Sequence, residues 1–230
     1  MTEKISVIIP CFNEVRTIEK IIEKIHLVQG INKEIILVDD FSNDGSRELI
    51  QTKLKNKIDT LILNEKNYGK GYSIIQAKKK ITGDIVIIQD ADLEYDPNDL
   101  LKFEEVFLKF NADGIIGSRF NYDKFTRSHS ILNKIGNYIL TLTFNILYNT
   151  TFTDIYSCYF AFKKELINAN NLNVKGFAQH AEILTKIIIK GNKFYEVPIN
   201  YNGRNTAEGK KIRFYHFFPV LFQILLGRFR

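Results

Sequence analysis

Cysteine is scarce in this 230-residue sequence: Cys11 and Cys158 are the only two. That number excludes a disulfide framework and a thiolate metal site, and it fits a reducing compartment. Nowhere does the chain hold the ~18 consecutive apolar residues that a membrane-spanning helix needs. The opening Met1–Pro10 lacks the basic region and long apolar run of a secretory signal peptide. The expectation is a chain that does not cross a bilayer by itself and is not secreted by that route. Low-complexity tracts, internal repeats and linkers rich in Pro, Gly or Ser are absent too. With 45% hydrophobic and 25% charged residues, this excludes a disordered chain and points to one substantial core. The expected organisation is one domain over 1–211 and a short basic, aromatic segment over 212–230.

The net charge of +6 is unevenly placed. From Lys193 to Arg230, seven basic side chains face only Glu196 and Glu208. Such an end points toward phosphates, whether of a nucleotide, a lipid head group or a nucleic acid. Its charges alternate with Phe214, Phe217, Phe218, Leu221, Phe222 and Leu225. The apolar stretch Phe214–Leu226 is too short to span a membrane but suits its interface. A peripheral protein at the cytoplasmic face of a membrane is therefore expected.

The first half alternates strands and helices. Strands are predicted at Ile5–Ile9, Glu34–Val38, Thr60–Leu63, Asp84–Ile88 and Gly114–Gly117, from short β-branched runs ended by Pro, Gly or Asp. Helical periods follow at Ile18–Ile25, Ser46–Leu54, Tyr72–Ile81 and from Pro97 to Phe110. Further on, helices are predicted at Ile131–Leu147 and Ala181–Ile189, and strands at Phe160–Phe162 and Phe194–Pro198. Strands joined by helical crossovers imply a mostly parallel α/β sheet, whose ligand crevice lies off the carboxyl ends of the strands. Asp40, Asp90 and Asp92 all fall at such ends, so one site can hold them.

Asp90-Ala91-Asp92 is the central feature. Two carboxylates one residue apart, just past a buried strand, can share a divalent ion. Mg2+ and Mn2+ prefer oxygen ligands and keep positions open for phosphate oxygens. Glu94 is a further candidate ligand, or an exposed acid leading a helix. Asp39-Asp40 reads either as a turn pair or as an acceptor for base or ribose hydroxyls. Arg119 in GSRF suits bidentate contact with a diphosphate, with a surface salt bridge as the alternative.

Five segments, VIIPCFNE (Val7–Glu14), VDDFSNDGS (Val38–Ser46), NYGKGYSI (Asn67–Ile74), TGDIVIIQDADLEYDP (Thr82–Pro97) and GSRF (Gly117–Phe120), resemble family 2 glycosyltransferases. TDIYSCYFAFKKELI (Thr153–Ile167), EVPINYNGR (Glu196–Arg204) and AEGKKI (Ala207–Ile212) are more specifically similar to dolichol-phosphate mannose synthases and bacterial polyprenol-phosphate relatives. The resemblance implies a single Rossmann-like nucleotide-sugar-binding domain of GT-A type, with a mostly parallel mixed sheet. It also implies a nucleotide-sugar donor (GDP- or UDP-linked), Mg2+ or Mn2+, a polyprenyl-phosphate acceptor, and transfer with inversion. Carried over by position, Pro10, Phe12 and Glu14 would contact the nucleoside, with Val38 and Asp40 completing that pocket. Asp90-Ala91-Asp92 would lie against the donor, Asp90 and Asp92 holding metal and diphosphate. Arg119, Arg204 and Lys210 would gather around the phosphates of donor and acceptor.

Two departures matter. Many relatives carry an acidic pair where this chain reads Gln179-His180-Ala181-Glu182, so His180 and Glu182 are candidates for a general base or for purely structural roles. Many also carry C-terminal membrane helices, whereas this sequence stops at Arg230, which leaves its anchoring open; a homo-oligomer or a membrane-protein partner is a separate expectation. A lipid monophosphate, with a second pKa of roughly 6, needs cations rather than a base, and Arg127, Arg204, Lys210, Lys211 and Arg213 are candidates. The competing enzyme readings are transfer to a glycan hydroxyl and nucleotidyl transfer; the latter calls for a glycine-rich loop, and IIPCFNE has none. A nucleic-acid-binding protein is disfavoured by the acidic strand ends and the lack of a recognised module.

Overall fold

The computed structural model describes residues 3–120, 127, 130–204 and 214–229. Among the described residues seven strands form one sheet in the order β3-β2-β1-β4-β6-β5-β7. β1 (Ile5–Cys11), β2 (Lys33–Asp39), β3 (Thr60–Leu63) and β4 (Ile85–Ile88) pair in parallel, as β-branched runs separated by helices must. β5 (Gly114–Ser118) and β7 (Phe194–Pro198) are also parallel. β6 (Phe160–Lys163) runs between β4 and β5, antiparallel to both. The sheet is thus mixed and mostly parallel, a single α/β domain as expected.

Helices cover both faces, and each face has its own apolar cluster. On one side pack α1 (Ile18–Leu27) and α4 (Leu100–Phe110), whose Ile18, Ile21, Ile22, Ile25, Phe103 and Phe107 are buried at helical spacing. On the other pack α3 (Lys70–Lys78), α5 (Ile131–Tyr148) and α6 (Gln179–Lys190). Between β2 and β3 the expected helix is short. α2 (Ser46–Leu49) passes into a π turn at Ile50–Leu54 and a 3-10 turn at Lys55–Lys57.

The C-terminal segment is packed on the domain along one face only. α7 (Phe217–Arg228) packs on α5 and α6, with Val220 and Ile224 fully buried, and Tyr148 Oη donates to the Ile224 carbonyl at 2.8 Å. Its other face stays exposed: Phe218 and Phe222 are each 63% accessible. α5 contributes Ile131, Leu132, Ile135, Tyr138, Ile139, Leu142 and Ile146 to the exposed apolar surface. Among the described residues no helix is long and apolar enough to cross a membrane.

Candidate active site

A cavity of about 850 Å³ opens at the carboxyl ends of β1, β2, β4 and β5. Pro10, Phe12, Glu14, Asp40, Asp90, Ala91, Asp92, Arg119 and Arg204 all line it. Val38 does not: its side chain is fully buried among Ile8, Ile36 and Ile88, because alternation along β2 turns it into the core. Lys210, Lys211 and Arg213 lie outside the described residues.

β4 delivers the acid pair. After Ile88, Gln89 N still bonds to the Ile8 carbonyl, and the chain then turns away from the sheet. Leu93 takes a left-handed φ of 63°, uncommon for a residue with a side chain, and Asp92 Oδ1 accepts from Glu94 N at 3.1 Å. The turn therefore points Asp90, Asp92 and Glu94 toward one region. Each carboxylate has a cationic partner. Lys70 Nζ donates to Asp90 Oδ1 at 2.5 Å. Arg204 Nη2 donates to Asp92 Oδ2 at 2.8 Å, while Nη1 and Nη2 each reach a Glu14 oxygen at 3.1 Å. Glu94 Oε1 accepts from Arg204 N at 2.9 Å. A Tyr95–Tyr201 bridge and Asn202 N donating to the Glu94 carbonyl carry Arg204 across from the far end of the chain.

Burial, then repulsion from Asp90 and Glu94, pushes the Asp92 carboxyl up to about 7 despite Arg204. Burial alone would lower the Lys70 ammonium, but Asp90 more than offsets it and raises it. This is a crowded acidic site held by internal cations.

Arg119, at the end of β5, makes the bidentate contact its geometry suits, but with Asp154: Nε to Oδ2 at 2.7 Å and Nη2 to Oδ1 at 2.8 Å. It lies 5.2 Å from the Tyr201 ring centroid while lining the cavity. Asp40 is buried and accepts from Asn64 Nδ2, Tyr68 N and Gly69 N, so it fixes the turn that starts α3. Asp39 takes the turn-pair alternative, bonding Arg47 Nε at 2.6 Å. Arg127 Nη1 donates to the Gly203 carbonyl at 2.8 Å and also lines the cavity.

His180 and Glu182 do not line this cavity. Glu182 accepts from Asn173 N, Val174 N and Lys186 Nζ, anchoring the loop before α6. His180 is buried, which brings its imidazole down to about 4, and its Nδ1 sits 2.7 Å from the Phe177 carbonyl. Neither is placed to take a proton from an acceptor in the cavity.

Sequence reasoning missed three groups. Lys70 lies in NYGKGYSI, ahead of the helix predicted from Tyr72; α3 in fact begins at Lys70. Its place after β3, at the ligand-binding edge, was the available signal. Tyr156 and Tyr201 also line the cavity, and so does an apolar wall of Leu132, Ile135 and Ile139 from α5 with Phe217 and Phe218 from α7. No motif marks that wall, because α5 and α7 meet only in the fold.

Residues 6–169 match Glycosyl transferase family 2. A dolichol-phosphate mannosyltransferase of Pyrococcus furiosus is 33% identical over 221 residues, 90% of this chain and 59% of that protein. An undecaprenyl-phosphate 4-deoxy-4-formamido-L-arabinose transferase of Pectobacterium atrosepticum is 36% identical over 108 residues, 45% of this chain and 33% of that protein. The chain spans less than two-thirds of the length of these curated relatives. Among solved structures, glucosyl-3-phosphoglycerate synthase of Mycobacterium tuberculosis, in complex with Mn2+, UDP-glucose and phosphoglyceric acid, superposes with a TM-score of 0.72. That likeness covers 98% of this chain and 80% of the other at 16% identity, a likeness of fold. Matched over most of its length, and carrying the acid pair where the sheet presents it, the chain belongs to glycosyl transferase family 2.

Proposed function

We propose that the protein transfers a hexosyl group from a nucleotide-diphosphate sugar to a polyprenyl phosphate, with a divalent metal ion and with inversion. One observation carries this reading: a single cavity joins the acidic and cationic strand ends to the apolar wall of α5 and α7. A donor diphosphate calls for the first part and a lipid-borne acceptor for the second.

The residues present fit a metal. Among the described residues no group of three or more His, Cys, Asp or Glu is preformed around a cation. Asp90 and Asp92 instead offer two carboxylates beside room for phosphate oxygens, which is how Mg2+ and Mn2+ bind at phosphate sites. The Asp92 carboxyl is raised by burial first and then by repulsion from Asp90 and Glu94, which a cation would relieve. When bound, the metal would neutralise charge on the departing diphosphate. Arg204 and Arg119 would hold phosphate oxygens once rearranged from their carboxylate partners. The acceptor's phosphate oxygen would form the new bond to C1 as the bond from C1 to the diphosphate breaks. A dianionic phosphate needs no base there, in keeping with the positions of His180 and Glu182.

The exposed apolar face of α5 and α7 suits a membrane surface, since it is continuous with the cavity wall through Leu132, Ile135 and Phe218. The buried side chains of Cys11 and Cys158 suit the cytoplasmic side. An acceptor screen tests the reading. With Mn2+ or Mg2+ and a panel of UDP- and GDP-sugars, a polyprenyl phosphate should be glycosylated and free saccharides should not. NMR of the product from an α-linked donor should show a β linkage; retained configuration, or transfer only to saccharides, overturns the assignment.

A further inference from the structure

Beside the cavity, two side chains hold polar atoms without hydrogen-bond partners. Donation from His180 Nδ1 to the Phe177 carbonyl leaves Nε2 as a bare acceptor. That Nε2 and both amide atoms of Gln179 are buried and unpartnered. Native interiors satisfy nearly all such atoms, so each unpaired one calls for an explanation. His180 and Gln179 border a second, small cavity of about 10 Å³, roughly the room that one water-sized group needs. Lys70 borders this cavity as well as the large one, where its ammonium is bonded to Asp90.

The backbone ties the two cavities together. Gly71 N and Tyr72 N both donate to the Lys175 carbonyl, so the start of α3 is fastened to the loop that leads into α6. A Cβ at Gly71 would lie 2.3 Å from the Val174 carbonyl oxygen; only glycine permits this approach. The backbones at Lys70 and His180 therefore keep a fixed relation, while the Lys70 side chain borders both cavities. A divalent ion on Asp90 repels the ammonium now bonded there. A displaced ammonium inside the protein needs new acceptors, and the small cavity offers two.

We propose that Lys70 is a counter-ion with two positions: on Asp90 when no divalent cation is held there, and on His180 Nε2 and the Gln179 amide oxygen once the cation takes Asp90. The proposal rests on Asp90 and Asp92 being the metal ligands. It makes His180 and Gln179 positioning residues that tune metal loading rather than parts of the proton chemistry. Lys70 competes with the metal, keeping metal affinity low until a donor diphosphate adds its own oxygens.

The test is a titration of the whole chain with Mn2+ alone, free ion being read by EPR and folding by thermal melts. Lys70→Met should bind Mn2+ roughly fivefold tighter than wild type, the size of a partly exposed ion pair removed. His180→Phe and the volume-matched Gln179→Met should each bind it more weakly, by roughly the same factor. Lys70→Met combined with His180→Phe should match Lys70→Met alone, since no ammonium remains to be housed. Unchanged or weaker binding by Lys70→Met, or a double variant that keeps the loss from His180→Phe, overturns the proposal. Wild type binding Mn2+ no better than Asp92→Asn is a different failure, in which the metal assignment itself falls.

Discussion

Glu34 offers a quantitative check on how the sheet is held together below the site. It is 5% exposed at the start of β2 and accepts from Ser6 Oγ at 2.5 Å, Thr82 N at 2.7 Å and Thr82 Oγ1 at 2.6 Å. Gly83 N at 3.2 Å and Lys4 Nζ at 2.9 Å add to these. Burial acts to raise its carboxyl, but the bonds from Ser6, Thr82 and Lys4 outweigh burial and bring it down from 4.5 to about 2. At ~1.36 kcal/mol for each tenfold step, that difference corresponds to about 3 kcal/mol. Lys4 is 35% exposed, so water screens its share and about 2 kcal/mol is the expected contribution. The folded carboxyl is the more acidic, so the stabilisation is complete above about pH 4.5 and lost as pH falls toward 2. Urea unfolding of wild type and Glu34→Gln, followed by far-UV circular dichroism from about pH 6 down to about pH 3, measures it. Glu34→Gln should be less stable by about 2 kcal/mol at the upper end, with the difference shrinking at the lower. A difference that stays constant across that range would refute the assignment.

Asp92→Asn should abolish transfer without lowering the metal-free melting temperature near pH 8, because it removes a carboxylate whose ionisation is opposed by burial and by Asp90 and Glu94. Calorimetry beside a donor-turnover assay checks both halves, and normal turnover would sink the metal site. Glu182→Gln should cost about 1–3 kcal/mol in stability through the Asn173–Val174 loop, yet reduce transfer only modestly. A loss beyond roughly a thousandfold at full stability would restore it as a general base. Phe218→Ser with Phe222→Ser should weaken co-sedimentation with anionic vesicles and leave the melting curve unchanged, since both rings face outward. Undiminished vesicle binding would move the membrane contact elsewhere.

Much of this architecture is legible in the chain because apolar runs have only one place to go. ISVII, EIILV and DIVII are too short and too β-branched for helices, and each ends in residues that stop a strand, so the ligand edge follows. The direction of β6 is not legible: FAF reads the same either way, and only the length of the preceding excursion sets it. That the Val38 side chain turns into the core is not legible either, because a motif match says nothing of which way a side chain points along a pleat. The partners of the acid pair were hidden by distance in sequence. Arg204 reaches Asp92 through the pairing of Tyr95 with Tyr201, which no local pattern announces.

Because β6 runs backwards, its beginning rather than its end faces the cavity. The excursion that leaves after β5 therefore returns beside its point of departure, with Gly117 N bonded to the Tyr159 carbonyl at 2.9 Å. Arg119, the whole of α5, Asp154 and Tyr156 all lie on this excursion, hung from one rung of the ladder. β1 to β4 contribute none of it. Exchanging residues 119–158 for those of a relative would leave every strand pairing in place. On the function proposed above, acceptor preference would be carried largely by this excursion, and could diverge without disturbing the pairing of β1 to β4.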